Sequence, residues 1–438
     1  TNESIHLPSY TPSSARGTNA QAFQRYSQLS STNTIEYKNN IANKHFFTAL
    51  LGHESFVKTE KTFSMTGTGL TDDRLVSIGS TTSIDSWGGG TMECAFNSFF
   101  LNLNYDYSGK YFVDASVRTD GSSLFGKNHR YATFYSVGAM WKIKNEPFLK
   151  NVSWIDELNM NLSYGTTGNS GLSEWYASLG LVGSGPKYNG NAGWAISQIP
   201  NSDLTWETVG TLNYRISGRV FDRVSFGVEF YNKQSKNLLM EIPYSATTGH
   251  SSGWGNVASM VNRGVDLELN FDFIHSKNVY WGASVNVNYN NNEITKLYQG
   301  LDEISFPDYS LKYQVGYSSS LVYTQVRAGV DPEDGSPMWY DLNGNLTKTY
   351  SDDIMQFCGL DTNAKWSGGF STNFSWKGLG INADFSFIGK RYVFLNERYY
   401  TMNPQTVLFT SNFETKMLNI WTHPGQQTDI PKYGTPFY

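Results

Sequence analysis

Seven histidines, His6, His45, His53, His129, His250, His275 and His423, are scattered without a His-Glu-x-x-His pair. No phosphate-binding loop accompanies them. Metalloprotease and nucleotide chemistries therefore lack their usual residues, and the chain reads as a non-enzyme. Cys94 and Cys358 lie too far apart for a Cys-x-x-Cys metal or redox motif. One run has metal-ligand spacing. Asp341-x-Asn343-x-Asn345, with Asp352 at the twelfth position, echoes a calcium loop. It places Leu346 where the sharp bend needs glycine, and Asp where a bidentate Glu is usual. An Asn-Gly hairpin turn at Asn343-Gly344 fits better, which leaves calcium a weak alternative and no other cofactor indicated.

Ligand contact falls to flat side chains in loops. Trp175, Tyr188, Trp194, Trp254, Trp339 and Tyr340 all sit in Gly/Ser/Asn-rich segments. Their faces suit stacking on sugar rings or packing on peptide side chains, although packing of loop on loop is the more ordinary use of each. A second set, Asn102, Asn104, Asp106, Asp266, Glu268, Asn286 and Asn288, occupies the polar phase of alternating segments and is expected to line a wet lumen.

The elements that position these residues are strands. Phe99 to Tyr107, Leu158 to Tyr164, Val265 to Phe273 and Trp281 to Tyr289 alternate apolar with polar residues, so each segment has two unlike faces. The 438 residues are 16% charged and 15% aromatic, which excludes a disordered chain. A net charge of -5 without a basic cluster excludes nucleic acid as a partner. Apolar runs such as Phe46 to Leu51 are far too short for a spanning helix.

A soluble sandwich also alternates, but three features favour a transmembrane antiparallel β-barrel. The strands are long, aromatics gather at their ends, and short connections alternate with long ones. Short turns fall at Asn40 to Lys44, Tyr107 to Lys110, Lys144 to Asp156, Val220 to Arg223, His275 to Asn278 and Lys377 to Gly380. Long segments fall at Thr66 to Thr91, Thr119 to Arg130, Thr166 to Leu204, Met240 to Ala258, Asn290 to Ala364 and Asn396 to Tyr438. About twelve strands in six hairpins satisfy this rule if Leu321 to Val326 belongs to a local excursion. Val265, Leu267, Leu269 and Phe271 then face lipid. The edge strands are expected near Thr34 to Ile41 and Leu379 to Tyr392, unpaired with each other.

Several stretches resemble the SusC/RagA-like TonB-linked outer-membrane transporters of the Bacteroidetes. They are Arg118-Thr119-Asp120-Gly121-Ser122-Ser123-Leu124-Phe125-Gly126, Asn145-Glu146-Pro147-Phe148-Leu149 and Leu162-Ser163-Tyr164-Gly165-Thr166-Thr167-Gly168-Asn169. Asn201-Ser202-Asp203-Leu204-Thr205-Trp206-Glu207, Asn262-Arg263-Gly264-Val265-Asp266-Leu267-Glu268 and Gly329 to Gly335 with Asp341 to Asn345 follow in the family's order. The resemblance implies a 22-stranded all-β barrel in the bacterial outer membrane, of which residues 1–438 form a partial barrel domain. The plug, the Ton box and the C-terminal strands have no counterpart in this sequence. It further implies energy-coupled import of an oligosaccharide or peptide and contact with membrane lipid and lipopolysaccharide. The implied partners are a SusD-like surface lipoprotein as lid and the TonB-ExbB-ExbD complex. A passive channel or a surface adhesin is the alternative.

Overall fold

The computed structural model describes residues 2–8, 10, 17–70, 72–172, 174–250, 252–306, 311–402 and 413–435. One sheet takes thirteen strands as a meander in chain order. Its first strands are β1 (Asn2–Leu7), β2 (Thr18–Ile41), β3 (His45–Leu70), β4 (Thr81–Tyr107), β5 (Tyr111–Ser122), β6 (Tyr131–Lys142) and β7 (Ile155–Asn169). A separate hairpin follows, β8 (Leu181–Tyr188) with β9 (Asn191–Gln198). The meander resumes in β10 (Glu207–Val220), β11 (Val224–Pro243), β12 (Ser252–His275) and β13 (Val279–Lys296). A second hairpin, β14 (Glu303–Phe306) with β15 (Leu311–Gln314), leads to a four-stranded sheet. That sheet holds β16 (Leu321–Val330), β17 (Pro337–Tyr340), β18 (Leu346–Thr347) and β19 (Met355–Asp361). The meander ends in β20 (Trp366–Trp376) and β21 (Leu379–Gly389).

Two compact units divide the chain. One comprises Thr1–Asn145, Asn161–Leu212 and Ser235–Val257; the other comprises Glu146–Met160, Asn213–Gln234 and Ala258–Tyr438. In the first unit the rows of the sheet are unlike on its two faces. One face runs Ile35, Leu51, Leu101, Val117 and Tyr135 across β2 to β6 in register. Four of these five are exposed, an arrangement that is costly in water and favourable in hydrocarbon. Beside the short turns the same face ends in an aromatic row. His45 and Tyr107 stand 4.9 Å apart, Tyr107 and Tyr111 6.2 Å, and Tyr111 and Trp141 6.3 Å. Such rings belong at a membrane-water boundary, where a flat apolar body meets polar headgroups.

The short turns have a common chemistry. Ala42-Asn43, Ser108-Gly109, Phe221-Asp222 and Lys377-Gly378 all carry positive φ at both central residues, the type I′ geometry that matches strand twist. Neighbouring turns are also bonded to one another. Ser108 N donates to Lys44 O at 2.7 Å and Lys142 N to Lys110 O at 2.8 Å in the first unit. In the second, Phe221 N donates to Trp154 O, Asp272 N to Arg223 O and Lys377 N to Asn278 O. The alternation of short and long connections thus stands, and β16 lies in its own small sheet within the long excursion.

Four expectations need correction. The sheet has a thirteenth strand, since Asn2–Leu7 pairs with Thr18 to Phe23. The strand expected at Thr34 to Ile41 begins at Thr18, and the one expected to reach Tyr392 stops at Gly389. Thr66 to Thr91 is mostly strand, because Gly88, Gly89 and Gly90 pair with Ser64, Phe63 and Thr62. Met240 to Ala258 likewise shrinks to a connection of residues 244–251. Among the described residues the strand order ends on β1 and on β21.

Candidate functional site: the polar face and the long-loop rim

Alternation puts Asn102, Asn104 and Asp106 of β4 on the face opposite the apolar row, in register with Ser116, Asp114 and Phe112 of β5. Asp106 is spent on its own turn, accepting from Gly109 N at 2.7 Å. An open cavity of about 180 Å³ lies there, with Phe46, Phe112, Asn104, Asp106 and Asp114 among its walls. Farther from the turns, Arg118 donates to Glu54 at 2.8 Å and to Asp120 at 2.5 Å. A partly buried guanidinium with two carboxylates is neutralised in place and ties β5 to β3 across β4.

The second unit repeats the pattern with amides. Asn288 Nδ2 donates to Asp266 Oδ1 at 2.6 Å, and Tyr231 donates to Asn290 at 3.0 Å. Asn290 and Asn292 both donate to Asn262 at 3.1 Å, and Ser319 donates to Asn292 at 2.9 Å. A Cβ on Gly264 would come within 2.2 Å of Tyr231 Oη, which is why glycine stands there. Glu268 receives Arg215 at 2.6 Å, and the same guanidinium reaches Glu229 at 3.3 Å. Asn286 is exposed opposite Glu268. The intervening residues Phe271 and Phe273 stack at 5.6 Å on the other face, and Phe273 meets Trp281 at 4.6 Å.

At the opposite end from the turns, the resembling motifs fold onto one another. Leu124, Phe125, Leu204 and Trp206 are all buried in one cluster with Cys94, Phe134, Leu172 and Ala177. Trp206 lies 4.6 Å from the Phe125 ring, and its Nε1 donates to Arg130 O at 3.0 Å. A Cβ on Gly126 would fall 2.0 Å from Ser202 O. The Leu-Phe-Gly and Asp-Leu-Thr-Trp runs are therefore two halves of one core that fixes the long-loop rim.

Three of the six loop aromatics take part in packing, the role the sequence leaves open beside ligand contact. Trp254 packs on this core while its carbonyl accepts from Asn201 at 2.9 Å. Trp175 packs there too, with the Lys58 ammonium 4.9 Å above its ring. Trp339 is 4% exposed and meets Tyr350 edge-on at 5.2 Å. An ordered loop must bury apolar surface of its own to offset the entropy of ordering it. Trp194, 76% exposed on β9, and Tyr340, 40% exposed on β17, remain available. The side chain of Tyr188 lies outside the described residues.

The calcium-like run folds as a turn. Asp341 Oδ1 accepts from the backbone N–H groups of Asn343 and Asn345 at 2.8 Å each, and Gly344 has φ of 80°. These bonds hold the Asp341 carboxyl below its usual range, with the Asn345 backbone the first cause. Asp352 sits apart at the start of a short 3-10 helix, Asp352–Ile354. Among the described residues no three His, Cys, Asp or Glu side chains are grouped to hold a metal.

Residues 2–416 match the family described as TonB dependent receptor-like, beta-barrel. The chain belongs to this family. That membership places it in the bacterial outer membrane, where the exposed apolar row meets lipid. Among relatives of this TonB-dependent receptor chain, the TonB-dependent receptor P26 of Formosa agariphila is 29% identical over 92% of this chain and 42% of its own length. The TonB-dependent receptor SusC of Bacteroides thetaiotaomicron is 31% identical over 57% of this chain and 27% of its own. A structure of the RagAB peptide transporter superposes with a TM-score of 0.86 at 34% identity, over 98% of this chain and 49% of that one. The chain thus spans about half the length of that neighbour, and less of the curated relatives.

The sequence reading missed Arg118 and Arg215, although a signal for both existed. Each is a cation in the polar phase of an alternating strand, and register brings to it a carboxylate from another strand, Glu54 across β4 to Arg118 and Glu229 and Glu268 to Arg215.

Proposed function

We propose that the whole protein imports a bulky nutrient, an oligosaccharide or a peptide, through the barrel to which this chain contributes a wall. In this reading a SusD-like lipoprotein closes the long-loop rim, and the TonB-ExbB-ExbD complex supplies the energy. The observation that carries it is the likeness to the RagAB peptide transporter at 34% identity over 98% of the chain. The two-faced sheet supports it, since Asn102, Asn104, Asp106, Asp266, Glu268, Asn286 and Asn288 share faces opposite the apolar rows and so line the lumen. Trp194 and Tyr340 are loop aromatics exposed enough to meet cargo. No resident cofactor enters the reading.

The test is uptake by whole cells of fluorescent oligosaccharides and peptides, before and after deletion of the gene and collapse of the proton-motive force. Uptake that disappears under both treatments supports energy-coupled import. Uptake that needs the gene but survives collapse of the force refutes it, and establishes the passive channel instead.

A further inference from the structure

Two cations on the polar face of β3 and its neighbours have opposite fates. Arg118 is matched by two carboxylates, Glu54 and Asp120. Lys58 is held by rings instead. Its Nζ lies 5.2 Å from the centroid of Tyr26 and 4.9 Å from that of Trp175. The same-face carboxylates on either side along β3 are already engaged, Glu54 by Arg118 and Glu60 by Gln24 at 2.7 Å. Aromatic faces orient an ammonium without neutralising it.

The surroundings are those of a recognition site. Trp175 is anchored by the buried core beneath it, and Tyr26 is 54% exposed beside it on β2. Gln28, directly opposite Lys58 in register, adds an amide. Lys58 lies thirteen residues from the start of β3, about 44 Å along an antiparallel strand. Even with a tilt of about 40°, that carries it beyond an apolar band about 25 Å tall, onto the long-loop side. Cargo arriving from outside meets it early.

We propose that Tyr26, Lys58 and Trp175 form a binding site for a carboxylate on a bulky ligand, either an acidic sugar or a peptide carboxylate. The ammonium pairs with the carboxylate, and the two rings take the apolar face of the sugar or side chain. This rests on the import reading and narrows its cargo to acidic molecules.

The test uses the full-length protein purified in detergent and read by titration calorimetry. Two probe pairs separate the sources: trigalacturonic acid against its methyl ester, and trialanine against its C-terminal amide. We expect the acid of one pair to bind about tenfold tighter than its neutral twin, with the ratio falling as salt rises. The pair that shows the ratio identifies the source. Lys58→Met and Lys58→Gln should erase it, and Lys58→Arg should keep it. Equal binding within both pairs overturns the proposal, as does a ratio that survives Lys58→Met and Lys58→Gln. Because the binding ratio is read without an energy source, its failure is distinct from a failure of energy-coupled uptake in cells.

Discussion

Trp206→Ala should unlock the long-loop rim while leaving the membrane wall in place. The ring is 4% exposed and lies within 6.2 Å of the rings of Phe125, Phe134 and Phe96. Removing a buried aromatic of this kind costs about 3–5 kcal/mol. The Arg130 carbonyl also loses its indole donor, worth about 1 kcal/mol, although the two terms overlap. Taking about 4 kcal/mol for the local opening of residues 123–130 against 200–206, the open population rises about a thousandfold. Hydrogen exchange reads this at Gly126 and His129, whose amides donate to Leu204 O and Gly126 O. The amides of β13 and of Val265 to Phe271 in β12 should keep their protection. Gly126→Ala should act in the same direction through its clash with Ser202 O, and Trp206→Phe should recover most of the loss. Unchanged exchange at Gly126 in Trp206→Ala would refute the view that the two motifs are halves of one core.

Arg215→Met should lower stability by about 1 kcal/mol in a thermal melt, because Glu229 and Glu268 then face each other unpaired. Adding Glu268→Gln should return part of the loss, and a double variant no better than the single would contradict this. Ala42→Gly should raise stability by about 0.5–1 kcal/mol in urea, since Ala42 holds φ of 57° and glycine adopts that conformation without strain. A lower denaturation midpoint would count against it. The loop around Asp331, Asp334 and Lys348 should loosen in acid. Lys348, the first cause, holds Asp334 down to about 2 and Asp331 below its usual range, so their contribution is full above the unfolded value near 3.8. It is lost as pH falls through the lowered folded values, about 2 for Asp334. The carboxylates in turn raise Lys348, whose share persists below its ordinary value and fades as pH rises past the raised one. Exchange at Gly335 and Ser336 should therefore be flat across neutral pH and accelerate beyond base chemistry only in acid or strong alkali. A step near pH 6 would speak against this assignment.

Legibility in the sequence followed the environment of each strand. Where one face meets lipid and the other water, alternation is strict, and Phe99 to Tyr107 or Val265 to Phe273 could be read directly. Beyond the membrane both faces are wet. In β2 the run Gln24 to Asn33 is exposed or half-buried with Gln, Ser, Thr and Asn in both phases, so the period fades although the strand continues. For the same reason Gly88 to Gly90 looked like loop, and Asn2–Leu7 was not seen at all. Turn positions were legible because type I′ geometry selects residues such as Ser-Gly and Lys-Gly. Contact aromatics were not, since Trp339 in the core of one loop and Trp194 on the surface of another have the same local sequence character.

The meander carries a rule about how such a wall can change over generations. Each strand hands its faces and its direction to the next, so deleting one strand would turn every later residue inside out and exchange the two rims. Val265 would move to the wet side and Asp266 into lipid. Deleting a hairpin leaves both faces and both rims as they were, at the cost of rejoining one bond of the turn rim, such as that between Arg223 and Asp272. The sheet can therefore lengthen or shorten by twos while the long-loop end is free to vary by any number of residues. Inheritance in this architecture is counted in hairpins below and in single residues above.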